Sequence, residues 1–140
     1  MAIQFFEEDI KFPLKEKNKH KRWLKAIAEN DGYKITDLNY IFCTDEYLHK
    51  INLDYLNHDT YTDIITFDNS EEEKLIEGDI FVSIERIIDN AEKLEGGVEK
   101  EILRVMSHGL LHLMGYKDKN KEDKKIMREM EDRCISLYQQ

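Results

Sequence analysis

With 140 residues, 41% of them hydrophobic, the chain has the length and composition for one domain with a real core, and residues 1–140 are expected to form it. A net charge of −9 argues against a surface that courts nucleic acid over its whole extent, and no apolar run reaches the length of a membrane span. Early acids replace any basic-then-apolar leader, and Cys43 and Cys134 are too few and too far apart for a disulfide framework, so a cytoplasmic protein with free, mostly buried thiols is expected.

Residues 2–6 form a short β-prone run. Residues 14–29, after the single proline Pro13, have helical spacing, with Leu24, Ile27 and Ala28 inward and Trp23 at the edge. The same stretch concentrates cations: Lys15, Lys17, Lys19, Lys21, Arg22 and Lys25 are either the solvated face of that helix or a local anion-binding strip. Residues 37–44 favour a strand. Thr44-Asp45-Glu46 then caps a second helix, with Leu48, Ile51, Asn52 and Tyr55 at helical spacing. Residues 57–62 are a polar connection. Residues 64–67 and 78–84 are strands on either side of the acidic loop Glu71-Glu72-Glu73, placed to pair as an antiparallel hairpin, while the earlier crossovers favour parallel pairing. Residues 84–94 read as a helix stopped at Gly96-Gly97. Residues 98–114 are the longest apolar-faced helix, and residues 123–138 the last, with Ile126, Met127, Met130, Cys134 and Leu137 inward. This order predicts an α+β domain: a small mixed four-stranded sheet packed with about five helices, next to a zincin-like metal-bearing helix.

The chemistry concentrates in Ser107-His108-Gly109-Leu110-Leu111-His112-Leu113-Met114-Gly115-Tyr116-Lys117-Asp118. Residues i and i+4 share a helix face, so the imidazoles of His108 and His112 can converge on one metal ion. Gly115 suits the left-handed turn that ends a helix, and such a turn can bring Asp118 back as a third ligand. Three protein ligands with an open fourth position describe a catalytic zinc site. Zinc proteases of this layout carry Glu after the first histidine as general base. Here that position is Gly109, which has no side chain to take a proton, and this argues against ordinary peptide hydrolysis.

Three segments carry a family resemblance: Leu53-Asp54-Tyr55 through Tyr61-Thr62-Asp63-Ile64-Ile65-Thr66-Phe67, then Gly78-Asp79-Ile80, then His108-Gly109-Leu110-Leu111-His112-Leu113-Met114-Gly115-Tyr116. On these residues the chain resembles the YbeY family of bacterial endoribonucleases, also described as ribosomal RNA maturation factors. The resemblance implies a single-strand-specific RNA endonuclease with one divalent metal ion, zinc being the expected one. It also implies action in ribosomal RNA processing, notably at the small-subunit 3′ end, and in ribosome quality control. The implied partners are single-stranded ribosomal RNA and the ribosome or its small subunit, with no membrane.

The sequence departs from the family pattern at two positions. The family's third metal-binding histidine falls at Asp118, so the implied ligands are His108, His112 and Asp118. Two imidazoles and a carboxylate leave a divalent site formally near about +1, a weaker Lewis acid, and move the ligand set toward harder ions such as Mn²⁺. Lys117 either restores positive charge nearby or faces solvent. The family's arginine after the tyrosine of the first segment falls at Leu56, so that phosphate-facing cation is lost. No catalytic base is named. Asp63 and Asp79 are candidates, each equally readable as a strand-end hydrogen-bond acceptor, and His58 is a surface histidine or a partial stand-in for the arginine. Lys19, Lys21 and Arg22 are the candidate RNA contacts. The leading expectation is a metal-dependent endoribonuclease. The alternative, favoured by Leu56, is a non-catalytic ribosome-assembly binding protein with a structural metal, and a metallohydrolase of another substrate is the third.

Overall fold

The chain runs β1 (Ala2–Glu7), α1 (Lys17–Asn30), β2 (Lys34–Cys43), α2 (Asp45–Leu56), β3 (Ile64–Asp68), β4 (Leu75–Ser83), α3 (Ile84–Lys93), α4 (Gly97–Leu113), α5 (Lys121–Tyr138). This is a computed structural model, and it describes residues 2–58, 61–93 and 96–140. Asp59 and Thr60 of the expected polar connection and Leu94 of the expected helix lie outside the described residues. The sheet order is β1-β2-β4-β3. β1 with β2 and β2 with β4 are parallel, and β3 is antiparallel to β4. Among the described residues this is the mixed four-stranded sheet with five helices that the element order predicts.

Strand alternation gives the sheet two faces with different partners. Ile76, Ile80 and Val82 of β4 are buried in the main core, with Leu24 and Ile27 of α1, Met106 and Leu110 of α4, and Met127 and Cys134 of α5. The residues between them, such as Phe81, turn to the opposite face, where α2 covers a smaller cluster of Cys43, Leu48, Ile51 and Ile65. Both cysteines are free and buried, as expected, and burial pushes each thiol up to about 12. α4 is buried on almost every side, from Ile102 to Leu113, which identifies it as the central helix.

Boundaries move where tertiary contacts override local pattern. α1 starts at Lys17, not at 14, because Glu16 adopts a left-handed φ of 53° and Leu14 drops into the core. Trp23 is buried rather than at an edge, and its indole N–H donates to the Cys134 carbonyl at 2.6 Å, tying α1 to α5. β2 and β4 begin earlier than the hydrophobic pattern suggests, because Lys34 and Ile35 pair with Leu75 and Ile76 ahead of a register shift at Ile35/Asp37.

Gly109 lets α4 lie close on this sheet. A Cβ there would sit 3.0 Å from Ile64 Cδ1 and 3.0 Å from two methyl carbons of Ile80. Position 109 therefore faces the strands, and a longer side chain has no room there.

Candidate metal centre

α4 places His108 and His112 one turn apart, and its end supplies the next part. Gly115 takes a φ of 101°, a conformation that disfavours any side chain. Its N–H bonds to the His112 carbonyl at 3.1 Å, and the Tyr116 N–H bonds to the Leu111 carbonyl at 3.0 Å. Two tyrosines pin this turn from outside: Tyr33 Oη donates to the Met114 carbonyl at 2.7 Å and Tyr116 Oη to Asp31 at 2.8 Å. The chain then brings Asp118 back over the helix face. Asn120, not Asp118, caps α5 by accepting the Asp123 N–H at 2.8 Å, so the Asp118 carboxylate is left for the histidines.

Asp118 Oδ2 lies 3.3 Å from His108 Nε2 and Asp118 Oδ1 lies 3.7 Å from His112 Nε2. One donor atom from each of His108, His112 and Asp118 falls within 4.8 Å of the other two, and among the described residues this is the group that could hold a metal ion. The outer nitrogens are engaged. His108 Nδ1 is 2.7 Å from Glu131 Oε2, and His112 Nδ1 is 2.9 Å from the Tyr116 carbonyl. Each partner is an acceptor, so each Nδ1 donates outward, and each Nε2 on the Asp118 side is left for a metal ion or, in its absence, a proton. The donor set therefore fits a divalent cation: two neutral imidazoles held by acceptors, and one carboxylate.

The site opens into a cleft of about 770 Å³ lined from α2, β3, α3, α4 and α5. Its lining includes Leu56, His58, Thr62 and Asp63 ahead of β3, and Glu101, Arg104, Arg128 and Glu131 from α4 and α5. Burial raises the Asp63 carboxyl above its ordinary range, an effect the nearby His108 only partly offsets, and burial also raises Glu101. Burial pulls His108 down, but the hydrogen bond and charge of Glu131, with Asp118 and Asp63, outweigh it and leave the imidazole raised. Asp79 does not join this cleft. Strand alternation puts its carboxylate on the other side of β4, where it accepts from Asn39 Nδ2 at 2.9 Å, so of the two candidate bases only Asp63 is at the site. Lys19, Lys21 and Arg22 sit on α1 outside the cleft lining, and the Lys19 ammonium lies 4.3 Å over the ring of Tyr138 at the far end of α5.

Sequence reasoning missed Glu131, Arg104, Glu101 and Arg128. Arg104 and Glu101 lie one and nearly two turns before His108, so the helical period could have found them. Glu131 lies far away in sequence, and its one signal is an acid in the inward stripe between Met127 and Cys134. It is 5% exposed, and Arg104 Nη1 holds its other oxygen at 3.1 Å.

Fold and site together define an α+β protein whose central helix and following turn build a three-donor candidate metal centre in an open cleft. The family model described as Endoribonuclease YbeY matches residues 2–139. A protein of Cytophaga hutchinsonii named endoribonuclease YbeY is 53% identical over 136 residues, covering 97% of this chain and 95% of that one. A Flavobacterium johnsoniae protein of the same name is 47% identical, covering 95% of each chain. The solution structure of TM1509 from Thermotoga maritima superposes with a TM-score of 0.68 at 26% identity, covering 98% of this chain and 89% of that one. The chain belongs to the endoribonuclease YbeY family.

Proposed function

We propose that this protein is a metal-dependent endoribonuclease that cuts single-stranded RNA during ribosomal RNA maturation, including the small-subunit 3′ end, and in ribosome quality control. It works in the cytoplasm, with the ribosome or its small subunit as partner. No helix among the described residues is long and apolar enough to cross a membrane. The observation that carries the proposal is the convergence of His108, His112 and Asp118 in an open cleft of a chain belonging to this family.

His108, His112 and Asp118 are the proposed ligands of one divalent ion, zinc first, with Mn²⁺ favoured more than three histidines would favour it. When bound, such an ion supplies Lewis-acid polarisation of a phosphoryl oxygen and lowers the pKa of water. Glu131 and the Tyr116 carbonyl hold the two imidazoles in register. Asp63 is the proposed proton acceptor: its carboxyl is raised by burial and lies in the same cleft. Lys19, Lys21 and Arg22 extend the proposed RNA contact along α1, beyond the cleft itself. The peptide-hydrolase reading is disfavoured, because position 109 faces Ile64 and Ile80 and offers no base.

Leu56 favours a second reading, a ribosome-assembly binding protein whose metal is structural. The two part on one experiment, in which nuclease-free protein is incubated with single-stranded and duplex RNA, with and without chelator. Cleavage of the single strand that stops with chelator and resumes with added metal is expected. Metal-loaded protein that binds the strand and leaves it intact would establish the second reading instead.

A further inference from the structure

The lining of the cleft sets an electrostatic problem. Among the described residues, Asp63, Glu101, Asp118 and Glu131 contribute carboxyl groups, against the guanidinium groups of Arg104 and Arg128. An RNA strand brings a phosphate charge with every nucleotide, so cations must offset this lining before a strand can settle beside the ligands. One divalent ion balances the formal excess of acid but leaves nothing over for the phosphate.

The two arginines are not equivalent. The Arg104 side chain is 12% exposed, and its Nη1 lies 3.1 Å from Glu131 Oε1 and 3.1 Å from Asp132 Oδ1. Its charge is committed to Glu131, which in turn orients His108. The Arg128 side chain is 55% exposed, one turn before Glu131 on α5. Its ion pair with Glu131 Oε1 is long, at 3.8 Å, to an oxygen Arg104 already holds. Among the described residues, Arg128 is thus the lining arginine whose charge is less committed, on a side chain long enough to move.

We propose that Arg128 is the substrate-binding cation of the cleft, contacting a phosphate of the RNA strand next to the metal centre. The inference rests on the endoribonuclease reading. The guanidinium fork takes two phosphate oxygens at once, which fixes the strand's position as well as its charge. The α1 lysines cannot replace it, since they lie outside the cleft lining, and the exposed lining residue Leu56 is apolar.

The test titrates metal-loaded protein with a fluorescein-labelled oligouridine over a range of salt, at low temperature and with the strand shown intact on a gel after each titration. Arg128→Gln is expected to bind about tenfold more weakly at low salt, as for loss of a hydrogen bond to a charged group. Its plot of log affinity against log salt should be shallower by about 0.7, one single-strand phosphate contact. Arg128→Lys should keep the wild-type slope with reduced affinity, because an ammonium keeps the charge but not the fork. Arg133→Gln removes the same charge from an exposed α5 position outside the cleft lining and should leave the slope unchanged. Metal content and Tm of Arg128→Gln should match wild type. An unchanged slope in Arg128→Gln, an equal change in Arg133→Gln, or loss of metal from Arg128→Gln would each overturn the inference while leaving the endoribonuclease reading standing. Wild-type protein that neither binds nor cuts single-stranded RNA would remove that reading, and the inference with it.

Discussion

Glu131 gives one carboxylate oxygen to His108 Nδ1 and the other to Arg104, so a buried acid on α5 decides which way a histidine on α4 presents its lone pair. Glu131→Gln, which keeps the shape and loses the charge, should weaken metal binding by about 10–100-fold in a chelator competition. Glu131→Ala should in addition destabilise the protein by about 3 kcal/mol in denaturant unfolding, since Arg104 is left buried with only the exposed Asp132 as partner. At position 118, Asp118→Ala should lower metal affinity while Lys117→Ala leaves it unchanged. Asp118→His should move the competition between Zn²⁺ and Mn²⁺ toward Zn²⁺, because imidazole is the softer donor. A metal-bound structure with Asp118 pointing away would refute its role as a ligand. His108, His112 and Asp118 were legible because the helical period and a glycine turn encode their convergence locally. Glu131 was not, because its partner is on another helix and only packing of α4 on α5 brings them together.

At the scale of elements, the site depends on how closely α4 lies against β3 and β4. Gly109→Ala should cost about 1–3 kcal/mol by overpacking Ile64 and Ile80, read as a lower denaturant midpoint with unchanged slope. Gly109→Glu should not create a peptidase, since position 109 faces the sheet. Strand register likewise separates the two candidate acids. Asp63→Asn should keep fold and metal but lower single-strand cleavage by about 10²–10⁴-fold if Asp63 takes the proton, whereas Asp79→Asn should leave the rate near wild type. Element types and order could be read from periodicity and turn residues. Which side of β4 carried Asp79 could not, because the burial of Ile76, Ile80 and Val82 against α4 settles the face only once the layers have assembled.

For the molecule as a whole, one layer of helices covers the main face of the sheet, and the cleft forms where α4, α5, β3 and α2 meet, so ligand, orienting acid and candidate base come from separate parts of the chain. Metal and proton then compete for the same nitrogen. In the metal-free protein, burial pulls His108 down but Glu131, Asp118 and Asp63 hold its pKa above the ordinary histidine value of 6.5. That proton stabilises the metal-free fold fully below pH 6.5, and the contribution is lost as pH rises through the raised folded value. The Tm gained on adding metal should therefore be small below pH 6.5 and grow above it, and a gain independent of pH would show that His108 is not displaced from its proton by the ion.

The most direct measurement adds metal stepwise to metal-free protein and follows occupancy and single-strand RNA cleavage in the same samples, for wild type, His108→Ala and His112→Ala. Cleavage should rise in proportion to occupancy and level off at one ion per chain, with both variants failing to bind tightly and failing to cut. Full occupancy without cleavage, or variants that cut as well as wild type, would contradict a catalytic metal at His108, His112 and Asp118.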